Sequence, residues 1–261
     1  MKRFLKRLIR LISIVTVLAT VPSILIAQDP EPPASGDAPF SLDSDRPGLG
    51  DGAHVLAPGV WQAEFGGQYM SGGAARFSVG QGLLRGGFTP FELRLYANSL
   101  VIEQNAGSSG FGFEDLGLGV KVPVGGPGRW NWAVLGLVTL PTGGDDYSAH
   151  EVTGGATLIG QTNLTGSISL ALNGGYSAPF NAVGDGRFAV IVTPGVVVPG
   201  VPEMSVYAGV ASYLGHGDDS NFFEAGLAYT RDADTQLDLN WGIDTDSRDW
   251  FLGVGWARRW R

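Results

Sequence analysis

The chain has 261 residues, no cysteine, and a formal charge of −8 from 17 Lys plus Arg against 25 Asp plus Glu. The lack of cysteine excludes a disulfide framework, and the acidic balance argues against nucleic acid as a partner. Glycine, at 41 residues, exceeds its usual share of about 7%; it has no collagen-like period and falls inside alternating apolar segments, where it suits the bends of a curved sheet.

The N-terminus, MKRFLKRLIR, puts five basic side chains ahead of the apolar run LISIVTVLATVPSILIA, which gives way to the polar QDPEPPASGD. This is the layout of a secretory signal peptide covering 1–27, cleaved after Ala27. The alternative is a retained anchoring helix, for which the run is short and broken by Pro22. Cleavage would remove five basic residues and no acidic ones, taking the formal charge from −8 to −13. Residues 28–50 are rich in Pro, Ser and Asp and read as a periplasmic N-terminal segment. Residues 51–261 hold everything that resembles a strand.

Twelve such segments follow in chain order: 60–70, 75–88, 91–102, 115–124, 130–141, 151–163, 166–176, 187–198, 203–214, 222–230, 235–244 and 249–260. Several alternate cleanly. In 91–102, Glu92, Arg94, Tyr96 and Asn98 oppose Phe91, Leu93, Leu95 and Ala97. In 235–244, TQLDLNWGID, Asp238 and Asn240 oppose Leu237, Leu239 and Trp241. The phases of 130–141 and 203–214 are ambiguous, and 75–88 is less regular.

One greasy and one wet face per strand fits either a sandwich or a membrane barrel. The connections decide. After odd-numbered segments come long polar stretches (EQNAGSSGFGFE, TGGDDYSAHE, SAPFNAVGDG, GHGDDS, DTDSRD), with MSGGA the short exception; after even ones come TP, GGPGR, LT, PGVPE and RDADT. Sorting loops by parity is how up-and-down membrane barrels are built, with short periplasmic turns and longer outer loops. The predicted fold is therefore an all-β, antiparallel transmembrane barrel of about twelve strands, exported to a Gram-negative outer membrane. Its apolar face meets lipid and lipopolysaccharide, and its polar face lines the lumen. Its implied partners are those lipids, the outer-membrane assembly machinery and a small-molecule solute.

The stretches SDRPG (44–48), PGVWQAEFGGQY (58–69), LLRGGFTPFELRL (83–95), FEDLGLGVKVPV (113–124) and VTLPTG (138–143), in this order and spacing, resemble the outer-membrane family of MetA-pathway phenol-degradation transporters. The resemblance covers nearly the whole chain after the signal peptide. It implies a barrel that passes small, hydrophobic or aromatic compounds. The chain departs from the usual aromatic C-terminus of such barrels by ending WARRWR, with Trp260 penultimate.

On this phasing the lumen-lining residues are Glu64, Glu92, Arg94, Tyr96, Asp115, Lys121, Glu224, Asp238, Asn240 and Arg259. They either pair into ladders that fill a structural barrel, or line a polar path. Asp45, Arg46 and Pro47 of SDRPG either tuck into the lower lumen as a plug, with Arg46 on an inward carboxylate, or form a tight turn. His150 near Asp145 and Asp146, and His216 near Asp218 and Asp219, admit a surface hydrolase or a divalent metal, but acidic loops facing cation-bridged lipopolysaccharide are the simpler reading. No HExxH pair, G-x-S-x-G elbow or P-loop is present, so no enzyme, cofactor or metal is expected.

Overall fold

The computed structural model describes residues 42–46, 48–97, 99–105, 108–125, 128–215 and 219–261. The predicted signal peptide, residues 28–41, Pro47, His216 and Asp218 lie outside them. Fifteen strands follow Val60: β1 (Trp61–Met70), β2 (Ala75–Val79), β3 (Gly82–Gly87), β4 (Glu92–Ala97), β5 (Leu100–Asn105), β6 (Ser108–Phe113), β7 (Leu116–Val124), β8 (Trp130–Leu140), β9 (Thr153–Asn163), β10 (Ile168–Pro179), β11 (Arg187–Val197), β12 (Met204–Gly215), β13 (Ser220–Asp232), β14 (Thr235–Asp244) and β15 (Trp250–Trp260).

Each pairs antiparallel with its neighbours, and β15 closes on β1 from Trp61↔Trp260 to Met70↔Phe251. The pairs β2/β3, β4/β5 and β6/β7 each run along one line, since β1 pairs with both β2 and β3, and β5 continues β4 beside β2 and β6. Fifteen strands thus make twelve staves of a closed barrel; among the described residues β6, which prolongs one stave at the loop end, pairs with β5 alone. The break between β2 and β3 has a local cause. Gly80 has φ +82°, which a residue with a Cβ resists, and the Gly80 and Gln81 N–H groups both donate to Gly66 O (2.9 and 3.0 Å). The wall bulges there.

The two faces sort as alternation requires. Phe65, Leu93, Leu95, Leu118, Val120, Leu237, Leu239, Leu252 and Val254 are exposed on the outside, while Gln62, Glu64, Arg85, Glu92, Arg94, Lys121 and Glu224 are buried inside. That inversion of the usual soluble pattern is the signature of a wall solvated by lipid. Aromatic pairs mark both ends of the apolar band. Trp61–Phe88 (6.1 Å), Phe88–Phe91 (5.6 Å) and Trp130–Trp132 (5.5 Å) lie at the short-turn end. Tyr69–Phe77 (4.8 Å), Tyr69–Trp250 (5.2 Å) and Tyr176–Phe188 (4.6 Å) lie at the long-loop end. The amphipathic Trp and Tyr rings among them favour these two levels of a membrane.

The ambiguous phases resolve. Ala133 and Leu135 point inward and Trp132 and Val134 outward; Ala211 is inward and Val206 outward. One expectation is corrected: 103–114 is not an outer loop. Asn105 pairs with Ser108 and Leu100 with Phe113, so the stretch is a hairpin that prolongs two staves. Its serines and glycines suggest a loop, but Ile102, Phe111 and Phe113 alternate with smaller residues along its outer face. The barrel also starts later than residue 51, at Trp61.

Candidate functional site: the lumen and the segment inside it

Among the described residues, 42–46 and 48–57 join no strand, so their backbone N–H groups need partners from elsewhere. The wall supplies them. Glu64 of β1 accepts from the N–H of Asp45 (3.3 Å) and of Arg46 (3.1 Å). Glu224 of β13 accepts from Leu49 N–H (3.0 and 3.2 Å). Asn173 of β10 accepts from Asp51 N–H (2.8 Å) and donates to Asp51 O (3.0 Å). Gln161 of β9 accepts from Ala53 N–H (2.8 Å), and Glu92 of β4 from Leu56 N–H (2.9 Å). Five staves around the barrel therefore hold one irregular segment through its main-chain N–H groups, and Arg85, Lys121 and Gln236 from three more hold its carbonyls. Ala53 also packs with Ala133, Leu135 and Ile159, an apolar strip of the inner wall.

At the centre sits Asp45. Its carboxylate faces Lys121 Nζ (3.2 Å), Arg85 (3.5 Å) and the Arg94 guanidinium, while its other oxygen accepts from Gly52 N–H (2.7 Å). Arg85 and Arg94 sit directly across from one another on β3 and β4, and two like charges at that spacing need an anion between them. Glu92 provides it, accepting from Nε of both at 2.8 Å. Arg94 reaches on to Asp51 and to the Tyr96 hydroxyl, both at 2.8 Å, and Arg85 to Glu64 at 3.0 Å. Each charge has a partner, and all but the partly exposed Asp51 are buried, which is the condition for tolerating them there.

Arg46 occupies a slot of its own. Gly66 of β1 and Gly255 of β15 face each other in register, and a Cβ on either would collide with its guanidinium. The side chain crosses this glycine pair, donating to Gln81 (2.9 Å) and Val254 O (3.4 Å), with Nε 3.8 Å from Asp238 Oδ1.

Of the residues singled out from sequence, Glu64, Glu92, Arg94, Tyr96, Lys121, Glu224, Asp238 and Asn240 come from inward faces around this segment. Two are elsewhere. Asp115 sits at the loop-end rim between β6 and β7, where it accepts from Gly143 N–H and Ala149 N–H (both 2.8 Å). It is a fastener for the 141–152 loop, not a lumen residue. Burial alone would raise its carboxyl; hydrogen bonds from Ala149, Ser148, Gly143 and Thr142 outweigh that and hold it below the usual carboxylate range. Arg259 lies at the turn-end mouth, bonded to Asp234 (3.0 Å) and Ala233 O (2.7 Å). It borders a cavity of about 460 Å³ that also touches Asp43, His54 and Gln161.

In the loops, His150 Nε2 lies 2.8 Å from the backbone carbonyl of Asp145, so the ring closes its own loop. Asp219 accepts from Gly215 N–H (3.3 Å). Among the described residues no three His, Cys, Asp or Glu side chains cluster as a metal site. Sequence reasoning missed Arg85, whose alternation is interrupted by the Gly80 bulge, and missed the amides Gln62, Gln161 and Asn173 as partners of the inner segment.

The family described as "Putative MetA-pathway of phenol degradation" matches residues 44–260. The chain belongs to this family. The match starts at Ser44, so the family's extent includes the segment inside the lumen as well as the wall. No curated protein matches the chain. Among solved structures, an outer membrane channel from Pseudomonas putida F1 is similar at TM-score 0.64 and 14% identity, over 80% of this chain and 98% of that one. The KdgM porin is similar at TM-score 0.55 and 10% identity, over 76% and 99%. The NanC porin is similar at TM-score 0.55 and 10% identity, over 75% and 98%. At such identities the likeness establishes the fold.

Proposed function

We propose that this family member is an outer-membrane channel for small solutes whose lumen is held closed by its own residues 42–57. The observation that carries the reading is how the segment is held. Most of its anchors are hydrogen bonds and ion pairs to polar wall side chains, which water or a solute can replace one by one; a covalent or strand-paired plug could not be exchanged in this way. The wall alone is the polar, charge-lined interior of a porin-type barrel, and the porin likeness of the fold supports the same reading. Export through a cleaved signal peptide, assembly by the outer-membrane machinery and contact with lipopolysaccharide belong to this proposal. Within the family's suspected range, small hydrophobic or aromatic solutes fit the apolar strip formed by Ala133, Leu135 and Ile159.

Planar-bilayer recording of the refolded chain tests it. The full chain should give small, infrequent current steps, and Arg46→Ala, which empties the glycine slot, should give larger or longer ones. A folded, heat-resistant barrel that passes no current in either form would make the segment a permanent filler and the barrel structural.

A further inference from the structure

The lumen is not electrically uniform around its circumference. On the side built by β1, β3, β4 and β7, the wall carboxylates Glu64 and Glu92 lie among the wall cations Arg85, Arg94 and Lys121. On the side built by β12–β15 no such mixture of wall charges is found. Glu224 (0% exposed) and Asp238 (6% exposed) point inward. Among the described residues the one Lys or Arg facing inward from those strands is Arg259, at the turn-end mouth on Asp234. The countercharge there comes from the inner segment instead. Asp238 has Arg46 at 3.8 Å, and neither of its oxygens accepts a hydrogen bond although its side chain is fully buried. Glu224 is met by neutral groups, the N–H of Leu49 and the hydroxyl of Tyr207.

The same half-wall is also the aromatic one. Tyr207, Tyr213, Phe222 and Phe251 project from its inner face, with Tyr213–Phe222 at 6.1 Å and Phe222–Phe251 at 6.4 Å. Tyr207 is a diagonal neighbour of Glu224 across the β12–β13 pairing, where Gly209 faces Glu224 and Tyr207 faces Gly226. The ring of Tyr213 already carries a cation, the Arg187 guanidinium, at 5.8 Å. Buried carboxylates with no wall cation bonded to them, set among aromatic faces, are what recognise an ammonium or guanidinium group on an apolar body.

We propose that the β12–β15 half of the lumen binds small organic cations, with Asp238 and Glu224 as the anionic partners and Arg46 as the internal group that the ligand displaces. The inference rests on the channel reading for access to the lumen, and it narrows the solute class within it. Asp238 and Glu224 are then binding residues, and Arg46 is a competitor supplied by the chain itself.

The test uses three probes with one benzene ring and different charge: benzyltrimethylammonium, benzyl alcohol and benzoate. Each is titrated calorimetrically against the full chain in micelles, and each is added to channels in a bilayer bathed in a potassium chloride gradient. The cation should bind at least about tenfold more tightly than the alcohol, benzoate should not compete with it, and the reversal potential should favour cations. Asp238→Asn and Glu224→Gln should each weaken cation binding by about tenfold. Arg46→Ala should strengthen it, a direction that misfolding would not produce. Equal binding of the three probes, or unchanged binding in both carboxylate variants, overturns the inference and leaves a conducting channel untouched. Cation binding without current keeps the inference and removes the channel reading instead.

Discussion

Asp45 is the residue on which the inner segment turns, because three cations converge on one carboxylate. Asp45→Asn should therefore destabilise the barrel by about 3–5 kcal/mol, the usual result of leaving buried cations without their anion, read as a lower urea midpoint for unfolding. Asp115 makes a separate prediction with a pH sign. Its carboxyl is depressed by the loop's hydrogen bonds, so its contribution is present above the ordinary carboxylate range and is lost only as pH falls through its lowered value. The 141–152 loop should stay protected from protease at mildly acid pH. Asp115→Asn should expose it at every pH, with a loosening of about 1–3 kcal/mol from the unsatisfied amides. Which residues were legible in sequence follows from periodicity. Glu92, Arg94, Glu224 and Asp238 stand in unbroken alternation, so their inward side could be read. Asp115 was misread because it sits at the end of a stave, where alternation no longer says whether a side chain meets lumen or loop. Arg85 lies beside a bulge. The partners of 42–57 could not be read at all, because an irregular segment has no period to follow.

The staves themselves make predictions through their two faces. Leu118 stands on the outer face of β7 with Val120, and Lys121 on its inner face. Leu118→Arg should cost about 2–4 kcal/mol in lipid vesicles if this part of the stave lies near the bilayer midplane, while the native Lys121 is carried on the same strand by Asp45. A result in which the lipid-face arginine is neutral would contradict the assignment of that face. The Gly66–Gly255 pair predicts a different consequence. A methyl group at Gly255 meets Arg46 Nε and Asp238, so Gly255→Ala should leave the wall folded but push Arg46 out of its slot, raising conductance as Arg46→Ala does. The strand plan was legible from loop parity and alternation, and twelve staves were expected and are present. The hairpin of β5 and β6 was not legible, since glycine and serine between its aromatic residues look like a loop until a neighbouring strand supplies the pairing.

At the scale of the whole molecule, two kinds of solvent meet in one wall. Lipid takes the apolar outside, and a folded-in segment of the chain takes the place of water inside, supplying on one half the Asp45 anion that three wall cations and two wall carboxylates leave wanting and on the other the Arg46 cation beside Asp238. Closure and selectivity then have a common origin, because the segment that blocks the lumen also supplies the Arg46 charge that the β12–β15 wall lacks. The most direct test of this account exploits the absence of native cysteine. Ser44→Cys and Gln62→Cys place thiols on the segment and on the β1 wall, whose native side chains both meet Glu64, and a short bifunctional thiosulfonate can tether them during single-channel recording. The account predicts that tethering locks the barrel in its lowest conductance level and that a reductant restores the larger steps. Unchanged currents after verified cross-linking would show that solute passes without movement of the segment, and would contradict it.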